Sequence, residues 1–413
     1  MDPRFVTAYI KMKSGDNMID VAIVGCDGYE EEKVRSALLR VCEPFGGFDW
    51  VEKGMKVAIK ANLVTYMHPD RAATTHPSLL CALTRELLER GAEVVVGDSP
   101  GGLYNAAFVG RVYSATGVRA IEEIGGRLNR NFEHATANFQ EAAVAKTFEY
   151  TAYLDEADAI IDFCKLKSHG MMGMSCAVKN MFGVVPGTLK PEYHYRFPNH
   201  KDFADMIVDL NEYFAPKMRL SICDAIIGME GNGPTAGEPR KIGALIASAS
   251  PYKLDLVAAN IIGLTCDNVP TLEAAHRRGL APKTAAELCI SGDPAGFYIS
   301  DYKNILKHNS LEFQNMFGGA AGRMFGKLVG KLLRSKPKVK KNECIGCGVC
   351  DRICPAKAIE IKDKKAVIIR KNCIRCFCCQ EFCPKGAMKV SRPIVARLAG
   401  GKAGKKASKD DEK

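Results

Sequence analysis

Nine of the seventeen cysteines fall between residues 344 and 383. Cys344, Cys347, Cys350 and Cys354, the last followed by Pro355, are separated by two, two and three residues, and Cys373, Cys376, Cys379 and Cys383, followed by Pro384, repeat the pattern. Three thiolates on such a tight loop can reach three iron corners of one cubane. The fourth sits on a helical turn pointing away and, in a two-cluster arrangement, ligates the other cluster. The spacing predicts two [4Fe-4S] clusters, one held by Cys344, Cys347, Cys350 and Cys383 and the other by Cys373, Cys376, Cys379 and Cys354. A pair of four-thiolate zinc sites is the competing reading, but zinc modules use separated cysteine pairs and have no need of a crossed ligand before proline.

Around these ligands, Gly346 and Gly348 allow the first loop to pass close to inorganic sulfide, and Ile345, Val349, Ile353, Ile374 and Phe382 can supply an apolar shell. Cys378 is the surplus ninth cysteine and is expected beside a cluster rather than on it. The segment closely resembles bacterial two-cluster ferredoxins, which implies one-electron transfer at low potential. With no vacant corner, the clusters would act as wires, leaving the chemistry to the rest of the chain or to a redox partner protein.

Three further segments hold more polar residues than a core needs. The first combines Lys60-Ala61-Asn62-Leu63, Thr74-Thr75-His76-Pro77 and Gly97-Asp98-Ser99-Pro100-Gly101-Gly102, two strand ends and a helix start that should converge on one crevice. Thr75 also reads as a plain helix cap, with Pro77 in the first turn. The second runs from Lys165 to Gly183 after a strand ending at Phe163; its Lys167, His169, Met171, Met172, Met174 and Lys179 suggest a lined pocket, with His194 and His200 close behind. The third is Gly228 to Gly237, a turn-rich loop containing Glu230, with Asp224 before it and Asp255 beyond.

The order Lys60-x-Asn62, Thr75-His76-Pro77, Gly97-Asp98-Ser99-Pro100, Lys167-x-His169 through Lys179-Asn180, and Glu230-Gly231-Asn232-Gly233-Pro234 resembles the family called domain of unknown function 362, whose members are often fused to a two-cluster ferredoxin. At Ala249-Ser250-Pro251 the chain departs from that pattern, which would place Asp before Pro. His169-x3-Gly173-x-Ser175-x3-Lys179, with Pro186-Gly187 beyond, is more distantly similar to the nickel-pincer lactate racemase family, although Cys176-Ala177 replaces a Gly-Gly pair. That similarity implies His169 as a nickel ligand and Lys179 as the cofactor attachment point. The blander reading has Lys60, His169 and Lys179 positioning a small anionic substrate or cofactor, with Asp98 and Glu230 as polar partners.

The elements that must hold these residues alternate short β-branched runs (Val21 to Val24, Val57 to Lys60, Val94 to Val96, Ala159 to Phe163) with amphipathic stretches (Glu31 to Val41, Pro77 to Arg90, Asp202 to Tyr213). The expected fold is a large layered α/β domain with a mostly parallel sheet over residues 1–311, joined by a basic Gly-rich amphipathic connector (312–337) to a small α+β ferredoxin-type domain (338–392) and a disordered basic tail (393–413). At 47% apolar and 25% charged the composition excludes a disordered or collagenous chain. The net charge of +11 falls mainly in 323–341 and 391–413, which argues against a nucleic-acid-binding face and leaves membrane-surface contact through 323–341 as the less favoured reading of the connector. No secretory signal is evident, so the expected compartment is the cytoplasm and the thiols are expected to be reduced. No glycine fingerprint supports flavin or nicotinamide. The functional expectation is an iron-sulfur oxidoreductase component; the alternatives are a non-catalytic docking or assembly module, or an isomerase or racemase-like enzyme with a pincer-type cofactor on Lys179.

Overall fold

The computed structural model describes residues 19–305 and 336–391. Its contacts divide the chain after Asn304 into two units. The strands of the first are β1 (Val21–Gly25), β2 (Lys56–Ala61), β3 (Glu93–Gly97), β4 (Arg127–Leu128), β5 (His134–Asn138), β6 (Thr147–Thr151), β7 (Ala159–His169), β8 (Gly173–Ser175), β9 (Met218–Glu230), β10 (Glu238–Ser248) and β11 (Ile290–Ser291). Nine of them form one sheet in the order β11-β1-β10-β9-β7-β2-β3-β4, with β8 folded back antiparallel on the end of β7. Along that path only β10 opposes its neighbours, so the sheet is mostly parallel and the unit is α/β, as the alternation of runs predicts.

The period-two alternation of strand side chains builds a core on each face. Ile59, Ala61, Ile161, Phe163, Ile222 and Ile226 point into one apolar cluster with residues of α1 (Glu31–Cys42), α2 (Pro77–Glu89) and α3 (Ala106–Ala115). Cys164, Leu166, Cys223 and Ala225 point into the other, against α4 (Pro251–Ile261). Ser250 caps α4, accepting the Lys253 amide, and so does at this departure from the family pattern the work an Asp would do.

Two local expectations are corrected. The cap of α2 is His76, whose ring accepts the Ser78 amide at 3.3 Å. Thr75 instead bridges two strand ends, its Oγ1 receiving the Asn62 amide at 3.0 Å and donating to the Phe163 carbonyl at 2.7 Å. The strand expected to stop at Phe163 continues to His169 with all eleven of its residues buried. Met171, Met172 and Met174, in the hairpin that follows, are also buried. The strand's buried Lys165 and Lys167 imitate loop punctuation because their partners, Asp224, Asn62 and the Ala73 carbonyl, lie far away in sequence.

In the second unit β12 (Lys336–Val339) pairs antiparallel with β15 (Met388–Ser391), and β13 (Ile359–Lys362) pairs with β14 (Lys365–Ile368). The β13–β14 turn places Asp363 and Lys364 at φ 47° and 55°, the left-handed pair that suits a right-twisted hairpin. β12 begins inside the segment expected as connector, so Lys336 and Lys338 belong to a folded strand, where Pro337 faces Val390 across the ladder. The remainder of the connector, the basic tail and residues 1–18 lie outside the described residues. Among the described residues no helix is long and apolar enough to cross a membrane.

Candidate functional site

At the carboxyl ends of the central parallel strands, the three segments singled out from the sequence meet. Lys60 is fully buried; its ammonium lies 2.7 Å from Asp98 Oδ1 and donates to the Ala61 carbonyl at 2.8 Å. The other Asp98 oxygen accepts the Leu63 amide at 2.8 Å. Gly183 closes over this pair, where a Cβ would collide with both Asp98 and Lys60. On the opposite face of the sheet Lys165 reaches Asp224, its register partner on β9, at 2.8 Å and the Tyr29 hydroxyl at 3.0 Å. Tyr29 donates to Asp224 at 2.9 Å and stacks on His76 with ring centroids 3.6 Å apart.

Asn62 joins the two faces. Its Oδ1 accepts from Lys167 at 2.8 Å, and its Nδ2 donates to Asn180 at 2.8 Å. Asn180 in turn donates to Asp162 at 2.6 Å and to the Lys60 carbonyl at 3.2 Å. Burial pushes the Asp162 carboxyl up to about 7, against the pull of Asn180 and Lys60. Burial likewise lowers His76 to about 4 despite the nearby Asp224.

The other candidates are anchored on different groups. His169 ends β7, with Nδ1 accepting the amides of Met171 and Met172 at 3.0 and 3.1 Å, so its ring organises the β7–β8 hairpin. The Lys179 ammonium stands 5.7 Å from the Phe182 ring centroid. Asp255 accepts the amides of Ala177 and Val178 at 2.7 and 3.2 Å, fixing the short helical turn Ala177–Asn180, and burial pushes its carboxyl well above the usual range. Glu230 pairs with Lys303 at 2.7 Å. His194 stacks on Phe203. Two members of the polar assembly carry no sequence signal: Tyr29, and Lys190, which donates to the carbonyls of Ser99 and Val185.

In the second unit the eight motif cysteines gather around two cavities. One is lined by Cys344, Cys347, Cys350 and Cys383, with Ile345, Val349, Ile361 and Met388 among its walls. The other is lined by Cys354, Cys373, Cys376 and Cys379, with Ile359, Ile368 and Phe377. Each cavity thus takes three cysteines from one motif and the fourth from the other. The two crossing sulfurs are treated alike: Cys354 Sγ accepts the Ala358 amide and Cys383 Sγ the Ala387 amide, both at 3.2 Å. Thiolate donors, apolar walls and inward amides suit a cubane cluster. The loops also share a backbone form. Gly346 and Gly348 have φ of 68° and 74°, and the equivalent Arg375 and Phe377 both have 63°. Cys378 is buried beside the second cavity and hydrogen-bonds Cys376, holding that thiol below its usual value.

Residues 57–260 match the family described as domain of unknown function (DUF362), and residues 336–384 match the 4Fe-4S dicluster domain. The chain is 34% identical over 276 residues to the thylakoid-associated protein sll1697 of Synechocystis sp., an alignment covering 65% of this chain and 82% of that protein. Among solved structures, the lactate racemase apoprotein of Thermoanaerobacterium thermosaccharolyticum superposes with a TM-score of 0.38 at 13% identity, over 61% of this chain and 59% of that one, less than two thirds of its length. The dicluster match makes the C-terminal unit an iron-sulfur electron-transfer module.

Three tests follow from this geometry. Lys165→Met leaves the Asp224 carboxylate buried without its ammonium, which should cost about 3–5 kcal/mol. Trp50, the chain's one tryptophan, packs against the core of the large unit and reports its unfolding in denaturant; an unchanged midpoint would contradict the assignment. Asp162 binds its proton more tightly folded, at about 7, than unfolded, so its contribution to stability falls as pH rises from roughly 4 to 7 and is flat above. Asp162→Asn should remove that slope and gain on wild type at alkaline pH, whereas identical pH profiles would refute the burial argument. Gly346→Ala puts a Cβ against the Lys364 carbonyl at positive φ, so iron and sulfide per chain should fall by about half. Full cluster content in that variant would show the approach to be looser than described.

Proposed function

The chain belongs to the domain of unknown function 362 family and carries a 4Fe-4S dicluster domain, and on that premise we propose that it is an oxidoreductase component relaying single electrons through two [4Fe-4S] clusters to a redox partner. The observation that carries this reading is the crossed distribution of cysteines, Cys383 joining Cys344, Cys347 and Cys350 while Cys354 joins Cys373, Cys376 and Cys379. When bound, a cluster supplies reversible storage of one electron. The chain does the rest. The amides of Ala358 and Ala387 donate to the crossing sulfurs and stabilise added negative charge, and Cys378 does the same beside Cys376. The apolar walls limit water.

Residues 336–391 contain fourteen Lys and Arg against five Asp and Glu. That excess suits an acidic partner and makes association weaken with salt. A second reading, in which the large unit docks the ferredoxin-type module and has no chemistry of its own, is favoured by the internal engagement of Lys60, Lys165 and Lys167 and by the closure of Gly183 over the first of them.

Anaerobic protein should contain about eight irons and eight sulfides per chain and, after dithionite reduction, give an EPR spectrum of two interacting centres. Cys354→Ser should alter the same centre as Cys376→Ser and spare the one altered by Cys350→Ser. Colourless, zinc-loaded protein would defeat the proposal, as would Cys354→Ser grouping with Cys350→Ser.

A further inference from the structure

Three cysteines of the large unit, far from the ferredoxin-type motifs in sequence, come together in its core. Cys164 and Cys223 are register partners on β7 and β9, and Cys176 arrives from the residue between β8 and the Ala177–Asn180 turn. Cys176 Sγ lies 3.5 Å from Cys164 Sγ and 3.4 Å from Cys223 Sγ, and all three sulfurs fall within 4.8 Å of one another. All are buried.

Apolar packing explains why three thiols are buried, but it gives no reason for three sulfurs from separate elements to converge on one point. A metal ion does. Three thiolates at about 2.3 Å from one metal stand about 3.8–4.0 Å apart, so the two contacts of Cys176 need to open by only about half an ångström to admit one ion. Among the described residues no carboxylate or imidazole joins the same group, so the donors are sulfur alone. Asp255 is not one of this group, but it hydrogen-bonds the Cys176 thiol as well as accepting the Ala177 and Val178 amides, and so holds the turn that aims Cys176 at the other two. Leu166, Met174, Ala177 and Ala225 belong to the same apolar cluster and keep water away.

We propose that Cys164, Cys176 and Cys223 form a buried three-thiolate site for a soft d10 cation, best matched by copper(I), separate from the iron-sulfur centres. Soft sulfur donors select copper(I) and zinc(II), and a group of three sulfurs with no fourth donor among the described residues favours copper(I), because structural zinc is four-coordinate. Binding forms three metal–sulfur bonds, releases the thiol protons to solvent and transfers no electron. Because the sulfurs are enclosed, the ion enters as the unit folds and then resists chelators.

The test is metal analysis of the full-length holoprotein, isolated anaerobically from cells supplied with copper and zinc and dialysed against a chelator. Copper, or zinc in its place, should remain at about one equivalent per chain beyond the iron. Cys164→Ser, Cys176→Ser and Cys223→Ser should each lower it by about tenfold or more with iron unchanged. Cys266→Ser, altering another buried cysteine of the same apolar cluster, should keep it. If the serine variants fail to fold, X-ray absorption of the wild-type metal decides: a first shell of sulfur supports the site, and one of nitrogen and oxygen overturns it. Wild-type protein without copper or zinc, equal retention in the folded serine variants, or a Cys164–Cys176 disulfide in anaerobic material would each overturn it as well.

Discussion

Charged lysine heads held out of water demand partners, and at the carboxyl edge of the central sheet that demand organises everything around it. Lys60, Lys165 and Lys167 are almost completely enclosed, and an isolated buried ammonium would cost several kcal/mol or more. Each head is answered from a different part of the chain: Asp98 from the loop after β3, Asp224 from β9, and Asn62 together with the Ala73 carbonyl from the segment leading into α2. The loops at this edge take their shape as neutralising partners, which is why they pack inward despite their polar composition. Asn62, touching Lys167 on one side and Asn180 on the other, makes the two faces of the sheet one hydrogen-bonded assembly.

The ferredoxin-type unit solves a different problem twice. Both of its loops need left-handed backbone at the second and fourth residues after the first cysteine, so that amides and sulfurs turn toward the cavity. The first loop uses Gly346 and Gly348, which adopt that form freely, and the second uses Arg375 and Phe377, for which it costs about 1–2 kcal/mol apiece. The second half therefore tolerates strain that its packing must offset, and Phe377 contributes by burying its ring in the cavity wall.

How much of this was legible in the sequence depended on how local the information is. The cysteine motifs place their ligands by spacing within a dozen residues, so both sets could be written down and are found gathered around two cavities. The parallel sheet was readable from its apolar runs. By contrast, β7 looked finished at Phe163 because Lys165 and Lys167 resemble loop residues, and nothing nearby announces Asp224 or Asn62. Thr75 resembles a cap, and only the three-dimensional closeness of the Phe163 carbonyl shows its bridging role. Cys164, Cys176 and Cys223 have no motif spacing at all; register between β7 and β9 brings two together and the β8 hairpin delivers the third.

The pairing of β12 with β15 sets Lys336 opposite Ser391, so the two ends of the described cluster-bearing segment lie side by side on a single two-stranded ribbon. A unit closed at its own doorway in this manner can be spliced into or out of a host polypeptide without stretching either one.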